Sequence, residues 1–121
     1  MLINLSNHPK EKWSEKQLNA ALKKYRQIVD IPFPLISPKA NTGQVVAKAQ
    51  KYFNKIMVLL KNSPDKNNAV HLMGEFTFVY HLVNMLKKKK VKVIVSTTHR
   101  IVEEKDNKKI VTFDFVRFRE Y

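Results

Sequence analysis

The chain has 121 residues, 44% of them hydrophobic and none of them cysteine, and its 23 Lys and Arg against 10 Asp and Glu give a net charge of +13. That length suits one compact domain, residues 1–121, which buries roughly two-thirds of its unfolded surface and needs no disulfide or structural metal. The lack of cysteine excludes thiolate zinc sites and a thiol nucleophile and fits a cytoplasmic setting, while the charge favours an anionic partner without separating nucleic acid, nucleotide and lipid.

Leu2 to Leu5 form a predicted strand that ends in the turn formers Ser6, Asn7, His8 and Pro9, and this apolar stretch is far too short for a signal sequence or a membrane span. Ser14 and Gln17 have the spacing of a capping box with Trp13 as staple residue, and Leu18, Ala21, Leu22 and Tyr25 recur at helical intervals. Ile28 to Ile31 is short and β-branched, and Pro32 and Pro34 end it. From Gly43 to Lys61, Val46, Ala49, Phe53, Ile56, Leu59 and Leu60 share one helical face opposite lysines.

Ala69 to Met73 is an apolar run of the kind found in strands buried on both faces, and Gly74 closes it. Phe76, Val79, Tyr80, Val83 and Leu86 then repeat at helical spacing up to Lys87–Lys90, a run that suits a helix C-terminus or a rim that attracts phosphates. Val91 to Val95 is a further strand, followed by a polar loop of Ser96, Thr97, Thr98, His99 and Arg100. Ile101–Glu104 and Ile110–Phe118 flank a polar turn as a hairpin, with Phe113 and Phe115 on its core side. The alternation predicts an α/β fold: an open, mostly parallel sheet flanked by helices and finished by a C-terminal antiparallel β-hairpin.

In such sheets ligands sit beyond the carboxyl ends of the strands. Three polar segments meet there: Ser6, Asn7, His8 and Pro9; Gly74, Glu75 and Thr77; and Ser96 to Arg100. Gly74 allows close backbone approach, and the helix start behind it offers amides to an anion, although a glycine there also serves as a plain turn and Glu75 as a helix-start charge. Three hydroxyls and the Arg100 fork suit phosphate oxygens, or the hydroxyls cap local backbone. His8 and His99 have the chemistry for proton transfer, whereas His71 reads as a hydrogen-bonded core residue and His81 as structural or exposed. Two glycines cannot write a dinucleotide fingerprint, no phosphate loop is present, and no carboxylate or histidine cluster marks a metal site.

The segments Leu-Ile-Asn-Leu-Ser-Asn-His-Pro, Val-His-Leu-Met-Gly-Glu-Phe-Thr, Ser-Thr-Thr-His-Arg and Phe-Val-Arg-Phe-Arg-Glu-Tyr carry a likeness that spans nearly the whole chain. It resembles the small stand-alone CRISPR-associated ring nucleases, which are similar to the Rossmann-like CARF domain that senses cyclic oligoadenylates. The resemblance implies a cytoplasmic homodimer, with no membrane or DNA partner and no cofactor, that holds cyclic tetra-adenylate across its two-fold axis. It also implies cleavage without metal through a ribose 2′-hydroxyl, which ends type III CRISPR antiviral signalling. On this chain Ser6 and Asn7 then face the ribose-phosphate backbone, His8 transfers a proton, and Gly74 and Glu75 shape the pocket. Thr97, Thr98 and the catalytic Arg100 hold phosphate, Ser96 is a ligand-binding residue beside them, and His99 replaces an expected acidic residue. Two alternatives stand beside it: a sensor or sponge that shares these features and binds without cleaving, and a general RNA-binding protein that uses the lysines.

Overall fold

The computed structural model covers residues 1–121. Five strands, β1 (Leu2–Leu5), β2 (Ile28–Asp30), β3 (Ala69–Leu72), β4 (Val93–Lys105) and β5 (Lys108–Glu120), form one sheet. Helices α1 (Glu15–Leu22), α2 (Thr42–Asn62) and α3 (Phe76–Lys88) connect the parallel strands, with a 3₁₀ turn at Lys10–Lys12. The spatial order is β2-β1-β3-β4-β5, parallel throughout except for the antiparallel β4–β5 pair. The chain leaves β1 toward one edge and returns to β3 toward the other, so the carboxyl ends of β1 and β3 flank a topological switch point.

Side-chain alternation divides the interior into two unequal cores. Ile3, Leu5, Val70, Leu72 and Val93 face α2 and α3 in a cluster of 15 buried residues, whereas Leu2, Ala69 and Ile94 face α1, Trp13 and Tyr25 in a cluster of 7. β1 and β3 are buried along their whole length, as interior strands covered on both faces must be. No helix is long and apolar enough to cross a membrane.

Local chemistry explains the helix limits. Asn41 and Gln44 exchange side-chain and backbone hydrogen bonds in a full capping box before α2. Ser14 accepts the Gln17 amide at 3.1 Å, but the Gln17 side chain turns away toward β4, so the box expected there is only half formed. In α3 the buried face consists of Phe78, Val79, Leu82, Val83 and Leu86; Phe76 and Tyr80, expected on it, are 89% and 63% exposed. Phe76 is the first helical residue and precedes the face that α2 covers.

The largest departure from expectation is the stretch from Ser96 to Arg100. It is strand, because β4 runs on to Lys105 and pairs with β5 from Ile94↔Glu120 to Lys105↔Lys108. Thr97 and Thr98 are β-branched, and their polarity reflects a strand with little covering it on one face, so composition alone mistook an outlying ladder for a loop. Asp106 and Asn107, with φ of 54° and 60°, close the hairpin in the left-handed conformation that two-residue turns require. Between Thr97 and Thr98 the ladder slips by one residue, leaving Val116 unpaired, and the bulge turns Phe115 and Phe118 to the same face with ring centroids 4.9 Å apart.

Gly74 has no positive φ, and its requirement is space: a Cβ would lie 2.2 Å from the ring of Phe33, which packs edge-on against Phe78. Gly74→Ala should therefore displace that ring and lower stability by about 1–3 kcal/mol in denaturant unfolding. An unchanged unfolding midpoint would show that Phe33 moves aside freely.

Candidate functional site

On the face that carries α1, the second inward position of four adjacent strands is polar. Leu2, Ile28, Ala69 and Ile94 form an apolar layer, and two residues further along each strand stand Asn4, Asp30, His71 and Ser96. Parallel register sets Asn4 beside both Asp30 and His71. A continuous hydrogen-bonded row results. Asn4 Nδ2 lies 2.8 Å from Asp30 Oδ1, His71 Nδ1 lies 2.9 Å from Asn4 Oδ1, and Ser96 Oγ lies 2.6 Å from His71 Nε2.

Further bonds fix the row. Asn4 Nδ2 also donates to the His8 carbonyl at 2.9 Å, Ser6 Oγ donates to Asn4 Oδ1 at 2.8 Å, and Gln17 Nε2 donates to Ser96 Oγ at 3.0 Å. The Asp30 carboxylate also accepts the Lys10 backbone amide, which ties the 3₁₀ turn to the sheet. Trp13 Nε1 donates to the His8 carbonyl at 3.0 Å, and the indole and Phe118 rings each meet the His71 imidazole edge-on. His71 is 1% exposed, and this burial, reinforced by the charge of nearby His8, pushes its pKa down to about 4.

The row opens into a cavity of about 670 Å³ at the carboxyl edge of the sheet. His71 and Ser96 lie in it beside Ser6 and His8; Lys12, Ser14 and Gln17 come from the α1 side, and Thr98, Phe113 and Phe115 from the hairpin. The volume falls within the roughly 300–1,000 Å³ of small-molecule sites, and the walls set aromatic rings beside polar groups. A second recess, about 370 Å³, is lined by Lys24, Lys92, Arg117 and Arg119 toward the amino edge.

Of the residues marked by the sequence, the structure brings Ser6, His8, Ser96 and Thr98 together in this cavity. Arg100 pairs with Phe113, so it stands on the cavity face of the hairpin but at its rim. Asn7 is exposed outside the lining. Thr97 and His99 alternate to the opposite face, where Thr97 Oγ1 donates to the Arg117 carbonyl at 3.0 Å. Gly74 and Glu75 also lie outside the lining. The Glu75 carboxylate accepts the Thr77 and Phe78 amides at 3.2 and 2.8 Å, which holds it below the usual carboxylate range. The helix amides expected to meet an anion are therefore occupied by the chain's own carboxylate.

Asn4, His71, Trp13, Gln17 and Lys12 join the site without having been marked for it. His71 is the hydrogen-bonded core residue expected, and it also reaches the cavity. The signal that would have found the row is the repeated pattern of an apolar residue followed two positions later by a polar one: Leu2/Asn4, Ile28/Asp30, Ala69/His71 and Ile94/Ser96. No three His, Cys, Asp or Glu side chains gather closely enough to hold a metal ion.

The family model described as "Uncharacterized protein MJ1673 family" matches residues 1–119. No curated protein and no solved structure matches the chain.

Burial of neutral His71 carries a pH dependence with a definite sign. The unfolded imidazole gains its proton near pH 6.5 and the folded one near 4, so this stabilising contribution is complete above pH 6.5 and is lost as pH falls toward 4. The loss amounts to about 3 kcal/mol. His71→Gln should therefore show a shallower fall in unfolding free energy between pH 7 and 4 than the parent chain. Parallel profiles would mean that His71 is protonated in the folded state.

Proposed function

The chain belongs to the MJ1673 family, and we propose that its carboxyl-edge cavity binds a cyclic oligoadenylate, with cyclic tetra-adenylate favoured, and opens a phosphodiester without a metal. The observation that carries this proposal is the convergence of Ser6, His8, Ser96 and Thr98 with the Trp13, Phe113 and Phe115 rings in one cavity at the switch point. Phe113, 64% exposed, offers an aromatic face of the kind that stacks bases regardless of sequence, while buried Trp13 and Phe115 form the wall, and hydroxyl and imidazole groups meet ribose and phosphate.

In the proposed reaction a ribose 2′-oxygen attacks the adjacent phosphorus while the P–O5′ bond breaks, leaving a 2′,3′-cyclic phosphate and a 5′-hydroxyl. His8, exposed at the cavity edge, takes the 2′ proton, and the departing 5′ oxygen takes one from solvent. Lys12, and Arg100 at the rim, offset charge that develops on the phosphate oxygens. The remaining rate gain comes from holding the 2′-oxygen in line. A tetra-adenylate ring exceeds one such cavity, and a second copy related by a two-fold axis matches the symmetry of the ligand. Cleavage would remove a cytoplasmic antiviral signal of the type III CRISPR kind.

A second reading, a sensor or sponge that binds the ring intact, is favoured by one feature: Lys12 is the sole Lys or Arg among the lining residues, which is little charge stabilisation for phosphoryl chemistry.

The test is incubation with cyclic tri-, tetra- and hexa-adenylate in the presence of chelator, followed by chromatography of rings and linear products. Cleavage of one ring should fall by about 10²-fold or more in His8→Ala and by a smaller factor in Arg100→Ala. Binding without products selects the sensor, and absence of binding removes both readings.

A further inference from the structure

The hydrogen-bonded row fixes the direction of every bond in it. Asn4 Nδ2 faces two groups that can only accept, the Asp30 carboxylate and the His8 carbonyl, so its amide has a single workable orientation, with Oδ1 toward His71. The proton between Asn4 Oδ1 and His71 must then reside on Nδ1, because the reverse tautomer would set two lone pairs 2.9 Å apart. Nε2 is consequently an acceptor, and the Ser96 hydroxyl is committed to it at 2.6 Å. One Ser96 lone pair receives Gln17 Nε2 at 3.0 Å. A hydroxyl oxygen with its proton spent and one lone pair occupied has a single lone pair left.

We infer that Ser96 is an acceptor-only contact in the cavity, set in that polarity from Asp30 through Asn4 and His71, and that it selects a ligand hydroxyl, the ribose 2′-hydroxyl, over its deoxy counterpart. This rests on the proposed oligoadenylate site and assigns Ser96 a role different from holding phosphate: phosphate oxygens are acceptors, and an acceptor-only serine repels them. Buried neutral His71 keeps the polarity constant across the neutral range. A site built to accept a bond discriminates against the analogue that lacks the donor, because the half-buried lone pair is then covered by the ligand without a partner. Ser96 is thus a specificity residue for the bound ring: the single proton of the 2′-hydroxyl is donated to Ser96 in the resting complex and leaves that bond when it passes to His8.

Two measurements test this. A ¹⁵N-edited imidazole spectrum of the free protein at pH 7 should show His71 neutral with its proton on Nδ1; an Nε2–H tautomer would overturn the fixed polarity without reference to any ligand. Calorimetric titration with cyclic tetra-adenylate and with its all-2′-deoxy counterpart should give about tenfold or greater preference for the ribose ring in the parent chain. The preference should be lost in Ser96→Ala and kept in Ser96→Thr, which retains the hydroxyl. A ribose preference that survives in a folded Ser96→Ala overturns the assignment while leaving the proposed function intact. Failure of both rings to bind the parent chain overturns the proposed function and this inference together.

Discussion

The bond between Asn4 and His71 is the constraint on which the rest of the site depends. It joins β1 to β3 at the switch point, where both strands are buried along their whole length. A buried polar group left unpaired costs about 1–3 kcal/mol, so Asn4 and His71, both about 1% exposed, fit the interior only if half-buried Asp30 and Ser96 complete their bonds. They do, and the satisfied row admits one amide orientation, one imidazole tautomer and one hydroxyl direction. Trp13 and the half-formed helix cap at Ser14 follow from the same requirement. The indole closes over His71 while bonding the His8 carbonyl, and Gln17 gives up its capping role to complete Ser96.

Charge acts at a different range. The excess of Lys and Arg raises the local concentration of any polyanion, yet the cavity holds Lys12 alone of these residue types, and the denser cluster of Lys24, Lys92, Arg117 and Arg119 lies elsewhere. On the proposed reading, attraction and recognition are carried by separate groups. The hairpin links the two sites: Thr98, Phe113 and Phe115 wall the cavity, whereas Arg117 and Arg119 on the same β5 strand reach the basic recess.

The sheet and helices were legible because burial imposes periodicity. Apolar runs mark β1 and β3, 3.6-residue repeats mark α1, α2 and α3, and the final alternation marks the hairpin. Local polarity misleads where tertiary pairing overrides it. Ser96 to Arg100 looks like a loop but pairs along its length with β5, and strand alternation turns Thr97 and His99 away from the cavity. Gly74 and Glu75 have the composition of an anion-binding turn. Their roles come from a ring across the core and from Glu75 satisfying its own helix, neither of which local composition encodes. His71 shows the opposite case: a polar residue in an apolar strand looks structural in isolation, and its place in a row is visible only once the four strands are set side by side.

The central claim, that the carboxyl-edge cavity is where an oligoadenylate is recognised, is tested most directly by titrating cyclic tetra-adenylate into ¹⁵N-labelled protein and following the backbone amide resonances. The account predicts that the largest shifts fall on Ser6, His8, Lys12, Ser96, Thr98 and Phe113, and that they saturate together. Shifts centred instead on Lys24, Lys92, Arg117 and Arg119, weakening steeply with salt, would contradict it and make this a basic surface that binds phosphate chains without reading them.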